Sequence, residues 1–125
     1  MNLLDYKELI ENNPIHIATV NFENNPNLAV AADIRVMEND TIIISASEMN
    51  NTQKNIEHNP NVVITVFNND WVGLRMFGKA RFYTDGEYYD FCKKEFFSHN
   101  EVTPSGATQP KGAIVVVLDR VEEYK

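Results

Sequence analysis

Apolar residues along the chain recur with two different periods, and each switch between them marks an element boundary. Residues 3 to 12, LLDYKELIEN, place Leu3, Leu4, Tyr6, Leu9 and Ile10 at spacings that wrap one side of a helix, and Pro14 closes it. A small amphipathic lid is expected there. Then IHIATVNF alternates Ile15, Ile17 and Thr19 against His16, Ala18 and Val20, and ENNPN supplies turn residues before LAVAADIRVM. Two antiparallel strands follow. END is a second turn, TIIISAS reads as a third strand, and residues 50 to 59 return to a helical pattern that Pro60 ends. NVVITVF is next, a buried strand of β-branched residues.

The turn NND leads into the longest strand pattern, WVGLRMFGKARFYT. Val72, Leu74, Met76, Ala80 and Phe82 share one of its faces; Trp71, Arg75, Phe77, Lys79, Arg81 and Tyr83 share the other. Gly73 and Gly78 interrupt the run, which is how a barrel strand bends or admits another backbone. TDG opens a helix, EYYDFCKKEFFSH, in which Tyr88 or Tyr89, Cys92 and Phe96 form an apolar stripe. NEVTPSGATQPKG reads as an exposed loop, of a length more often functional or mobile than merely connecting. In AIVVVLDRV the apolar character is nearly continuous, so one face meets the core and the other needs a partner. About six strands and three short helices are too few strands for a sandwich and enough for a small closed barrel. The expected fold is mainly β, in one domain spanning residues 1 to 125.

Composition narrows the choice of partners. Eleven Lys and Arg against eighteen Asp and Glu leave a net charge of −7, which argues against nonspecific binding to nucleic acid or to an anionic membrane, since both need a positive field. A small phosphate ligand is still compatible if its donors are local. Cys92 is the single cysteine, so no intrachain disulfide forms, and nothing near the start has the layout of a secretory signal. A cytoplasmic setting is expected. No apolar run approaches the roughly 20 residues that span a bilayer.

The stretch MNNTQKNI is where candidate chemistry concentrates. A helix start offers free backbone N–H groups and a positive dipole end, and Asn50, Asn51 and Thr52 add side-chain donors, so an anion is received without net positive charge. These residue types also serve as ordinary N-caps, and the two roles are compatible. Arg35 and Lys54 are the nearest basic side chains; solvated surface charges are the plainer description of both. Arg75, Lys79 and Arg81, interleaved with Trp71, Phe77 and Tyr83, have the Arg and aromatic enrichment of a subunit interface, which points to a homodimer. No catalytic set stands out. His16, His58 and His99 lack metal-ligand spacing, Cys92 sits on an apolar stripe, and Ser45, Ser47, Ser98 and Ser105 lack a nucleophile-elbow context.

The order of elements and several short motifs resemble the FMN-binding split-barrel family, the pyridoxamine 5'-phosphate oxidase-like flavoproteins. Short FMN-binding proteins and the nitroimidazole-resistance type are the members most similar in pattern. The resemblance covers nearly the whole chain. It rests on IATV in the first strand, T-x-x-N-I-x-x-N-P-N-V at 52 to 62, GKA followed by TDG at 78 to 86, and the closing VVVLDRVEEY. It implies a six-stranded split barrel that dimerises, with FMN in a cleft between subunits. The phosphate would then be held at the start of the middle helix by Asn50, Asn51 and Thr52, with Arg35 approaching from the second strand, and Met49 and Lys54 would also belong to the cofactor site. Ala31, Ala32 and Asp33, with Ser45, Ala46 and Ser47, match positions lining the isoalloxazine ring and ribityl chain, and Trp71 and Arg75 would reach the partner's flavin.

Two departures temper that implication. Larger oxidases of the family carry an Arg-Lys pair where this chain has Asn51 and Thr52, and an Arg at Val30; losing them weakens phosphate binding, because charge-assisted hydrogen bonds are roughly twice as strong as neutral ones. Lys54 is placed to compensate. The C-terminal extension that carries substrate recognition in the true oxidases is also missing, which argues against oxidation of pyridoxamine phosphate. The function implied is an FMN-dependent oxidoreductase passing electrons or hydride between small-molecule donors and acceptors. The alternatives are an FMN or electron carrier with no dedicated substrate, and a cofactor-free dimeric interaction module.

Overall fold

A computed structural model describes residues 2–97 and 109–124. Seven antiparallel strands form one sheet: β1 (Ile15–Val20), β2 (Pro26–Ala31), β3 (Ile34–Val36), β4 (Thr41–Ala46), β5 (Asn61–Phe67), β6 (Gly73–Tyr83) and β7 (Gly112–Glu123). Their order is β2-β1-β5-β6-β7-β4-β3. In a flat sheet the edge strands β2 and β3 would lie six strand spacings apart, about 29 Å. Only Ala32 and Asp33 join them, and the three residue steps from Ala31 to Ile34 reach at most about 11 Å. The sheet therefore has to curl until its edges nearly meet, giving a barrel split between β2 and β3.

That break corrects the expected strand count from six to seven. The run LAVAADIRVM was expected as one strand; its halves instead lie on opposite edges of the sheet. Its more buried positions change phase across the break, Ala29 and Ala31 in β2 giving way to Ile34 and Val36 in β3. The barrel itself is as the resemblance implies.

Inward-facing Ile15, Ile17, Ile42, Ile44, Ile64, Met76, Ile114 and Val116 fill the barrel and are fully buried. A 3-10 turn over Leu3–Tyr6 runs into α1 (Lys7–Glu11), and the two insert Leu3 and Ile10 into this core, while Leu4 turns outward. The Glu11 carboxylate accepts the Val36 amide at 2.8 Å, occupying a donor on the open edge of β3. On β1's side, α2 (Asn50–His58) contributes Ile56 to the same core, and Asn55 Nδ2 donates to Thr19 Oγ1 at 3.0 Å.

A second, smaller core lies outside the barrel. There α3 (Gly86–Phe97) packs Cys92 and Phe96 against Ile43, Ala113 and Val115. The cover that the outer face of β7 needs is thus provided over this stretch by the chain's own helix, and Val117 beyond it is exposed. Of the paired tyrosine candidates, Tyr89 is the half-buried one, its hydroxyl donating to Pro110 O at 2.9 Å, while Tyr88 is exposed. A register shift between Phe77 and Gly78 bends β6, and a Cβ on Gly78 would come within 2.4 Å of the Val117 carbonyl oxygen. Trp71 and Val72 precede β6 rather than belonging to it. Asn68 Oδ1 accepts from the Asp70 and Val72 amides, so the strand starts only at Gly73.

Ser98, His99, Ser105 and most of the loop read over 100 to 112 lie outside the described residues. Among the described residues no helix is long and apolar enough to cross a membrane.

Candidate functional site

The middle helix opens without a side-chain cap. Met49 is its N-cap residue, in the left-handed conformation with φ 60° and ψ 45°, and its side chain makes no capping hydrogen bond. Asn50, Asn51 and Thr52 already lie inside the helix, so none performs the capping role their residue types suggested. The first helical bond runs from the Gln53 amide to Met49 O at 2.9 Å; among the described residues the amides of Asn50, Asn51 and Thr52 have no partner. The first turn carries no acidic residue.

Side chains around this start divide sharply. Asn51 and Lys54 are exposed, and Lys111 donates to the Asn50 side-chain oxygen. Thr52, by contrast, is 1% exposed, its hydroxyl lying 3.4 Å from Asn27 Nδ2. Thr52 is therefore closed off, and Asn50 and Asn51 are the exposed residues of the helix start. Lys111 and Asn27 are neighbours that sequence reasoning missed, because a lysine in a loop and an asparagine after a turn carry no distinguishing pattern.

The two strand-end segments come together beside the helix start. The Ser45 amide donates to Asp33 O at 2.9 Å, and the Lys111 amide donates to Ala46 O at 2.7 Å, just before the chain turns through Ser47 into Met49. Ala31 and Ala46 point into the core and are buried, Ala46 completely; Ala32 is exposed, and Asp33, Ser47 and Met49 are half-buried. Ser45 Oγ is buried beside the Cys92 thiol and has no other hydrogen-bond partner among the described residues. Burial raises the Asp33 carboxyl above its ordinary range, and the Arg35 charge offsets part of this. Nearby, burial pushes the Cys92 thiol up to about 12, the Ser45 hydroxyl acting in the opposite sense.

Arg35 is committed elsewhere. Its Nε pairs with Glu95 Oε1 at 3.1 Å, its guanidinium lies 4.7 Å from the Phe96 ring centroid, and a further N–H donates to Ile34 O at 2.8 Å. These contacts dock it on α3 and not on the start of α2.

Trp71 and Arg75 lie at the opposite end of the sheet. Tyr83 pairs with Ala113, which pairs with Ser45, whereas Arg75 lies eight residues back along β6, roughly 26 Å away. Trp71 is 78% exposed and meets Phe67 edge-on; Arg75 donates to the Tyr124 hydroxyl at 3.3 Å and covers its ring. A single chain does not bring this cluster to Asp33 and Asn50. Lys79, Arg81, Tyr83, Tyr88 and Val117 line an open hollow of about 420 Å³ between the two ends. Among the described residues no three His, Cys, Asp or Glu are placed to hold a metal ion.

A curled antiparallel sheet, split at one edge and flanked by a helix that opens with bare amides, defines a split-barrel protein. The chain matches the pyridoxamine 5'-phosphate oxidase family model over residues 5–124, and it belongs to that family. It is 30% identical over 118 residues to an uncharacterized protein of Methanocaldococcus jannaschii, covering 93% of this chain and 76% of that one. The crystal structure of HupZ from Group A Streptococcus is similar with a TM-score of 0.84 and 26% identity, over 98% of this chain and 94% of that one. An FMN-binding protein from Syntrophomonas wolfei shares the fold with a TM-score of 0.80 at 21% identity, over 98% and 86% of the two chains. A protein described as an F420 reductase does so with 0.67 at 19%, over 92% and 94%.

Proposed function

We propose that this chain is an FMN-binding flavoprotein that passes electrons or hydride between small-molecule partners and works as a homodimer. The observation that carries the reading is the start of α2, where a left-handed Met49 replaces any cap and leaves three amides without partners in a turn free of carboxylates. Such a start suits a phosphate dianion. Family membership and the fold shared with an FMN-binding protein support it.

The residues present fit that cofactor. The amides of Asn50 and Asn51, both exposed residues, hold the phosphate, and the Asn51 and Lys54 side chains line the neighbouring hollow against the β1–β2 turn. Backbone at Ala32–Asp33 and at Ser47 lines the ring and ribityl chain, while the Ser45 hydroxyl lies buried beside Cys92 under α3. FMN, when bound, supplies the redox chemistry, and the protein orients it and sets its surroundings. Asp33, its carboxyl raised by burial, holds or releases a proton beside that site. Trp71 and Arg75 join only from a second copy.

FMN added to the purified protein tests this. Saturation at 100 times the dissociation constant stabilises by about 2.7 kcal/mol, visible as a rise in melting temperature. Sedimentation of the FMN-loaded protein is expected to give twice the 14.3 kDa chain mass. A second reading, a cofactor-free interaction module, is favoured by Asn51 and Thr52 standing in place of cations and by the burial of Thr52. Colourless protein with no thermal response to FMN would select it.

A further inference from the structure

The turn between β1 and β2 and the flank of α2 enclose a cavity of about 300 Å³, at the small end of the range for ligand pockets. Both walls are braced. Asn21 Oδ1 accepts the Glu23 and Asn25 amides at 2.9 and 3.0 Å, and Asn24 is left-handed at φ 63°, so the turn is locked and presents Phe22 outward, 74% exposed. Phe22 stands edge-on to His58, with ring centroids 6.3 Å apart. Asn55 is tied to Thr19, and Thr52 to Asn27, which pins α2 to β1 and β2.

The chemistry of the lining has a direction. Asn25, Asn27 and Asn51 carry side-chain amides, Lys54 carries an ammonium, and no lining residue is acidic in a chain with eighteen acidic residues. Among the described residues the Lys54 ammonium and the Asn25 and Asn51 amides make no hydrogen bond or ion pair with the protein. A cation without a carboxylate partner, set beside side-chain amides that are likewise unengaged, leaves charge-assisted contacts for an anion. The exposed Phe22 ring adds an apolar wall against which a flat ring packs.

We propose that this cavity binds a small molecule made of a flat ring bearing a carboxylate or phosphate, with the anion on Lys54 and the amides of Asn25 and Asn51, and the ring against Phe22. The pocket lies within one chain, on the flank of α2 that faces the β1–β2 turn, and it does not rest on the flavin proposal.

Nuclear magnetic resonance titration of isotope-labelled protein tests it, with nicotinate and inorganic phosphate as probes, sodium chloride at matched ionic strength as control, and repetition in saturating FMN. In saturating FMN, saturable shifts confined to residues 21–27 and 51–58 are expected from both probes and not from chloride. Lys54→Gln is expected to weaken both probes at least about tenfold, the loss of roughly one charge-assisted contact. Phe22→Ala is expected to weaken nicotinate several-fold and leave phosphate unchanged. Both side chains are exposed, so the fold tolerates either change. Absence of saturable shifts, equal shifts from chloride, or indifference to Lys54→Gln would overturn the proposal. Displacement of nicotinate by FMN would also overturn it, by merging the pocket with the flavin site. Nicotinate binding by protein that fails to take up FMN would support the pocket while removing the flavin proposal.

Discussion

The Ser45 amide donates to the Asp33 carbonyl across 2.9 Å, and this bond ties the two-residue step between the barrel's edge strands to the end of β4. Beside it lie the buried Ser45 hydroxyl and a carboxyl raised by burial. The split in the barrel and the candidate site are therefore the same feature of the fold.

Asp33→Asn tests the electrostatics of that place. Burial lifts the folded-state value above the ordinary 3.8, with Arg35 opposing. Between those two values the folded chain keeps a proton that the unfolded chain has lost, so stability declines as pH rises through that window and stays lower above it. The Asn variant lacks this loss. Urea unfolding is expected to show it gaining stability relative to the parent as pH rises from about 3 to about 7.

Gly78→Ala tests the bend that closes the barrel. Its methyl would lie 2.4 Å from Val117 O and 3.0 Å from Leu118 Cα, both backbone atoms that cannot swing aside. A loss of about 3 kcal/mol is expected, at the upper end of overpacking costs. Gly86→Ala, at φ 88° with open space around it, is expected to cost about 1 kcal/mol. Urea midpoints that rank the two variants the other way round would contradict the described β6–β7 pairing.

Much of this architecture was legible from alternation alone. Ile15, Ile17 and Thr19 face inward as their spacing requires, and the core strands β4 and β5 and the helix at 50 to 58 fall where their patterns put them. What escaped had no local punctuation. No Gly or Pro marks the break at Ala32–Asp33, only a phase change in a run of small and apolar residues. The start of β6 is set by the Asn68 side chain, which leaves Trp71 and Val72 looking like strand. At the site, Asn and Thr composition suggested a cap, but a left-handed Met49 opens the helix, a conformation that residue type does not advertise. Arg35 was legible as a cation, while its partners Glu95 and Phe96 lie some sixty residues away in sequence.

Cys92 is expected to be inert in the folded protein. With its thiol pushed up to about 12 and its side chain in the second core, almost no thiolate is present at neutral pH. Alkylation is expected to run at least ~100-fold slower than for a free thiol at about pH 8, and to reach full rate in denaturant.

Thr65→Val is expected to raise the Tyr124 hydroxyl toward its ordinary value of 10. Thr65 Oγ1 donates to that hydroxyl at 3.0 Å and is the largest cause of its lowering, ahead of Arg75. A lowered phenol favours the folded state as pH rises through its folded value, so the parent's stability advantage over the variant is expected to widen toward pH 10. Ultraviolet titration of tyrosinate measures the shift directly.

The central claim, that bare amides opening α2 grip a cofactor's phosphate, is tested most directly by comparing FMN with riboflavin on the parent and on Asn51→Glu. A first-turn glutamate favours the helix dipole and so leaves the fold intact, but it repels a dianion held at the same place. FMN is expected to bind the variant at least about tenfold more weakly while riboflavin affinity stays unchanged. Equal affinity of parent and variant for FMN, or equal losses for FMN and riboflavin, would contradict it.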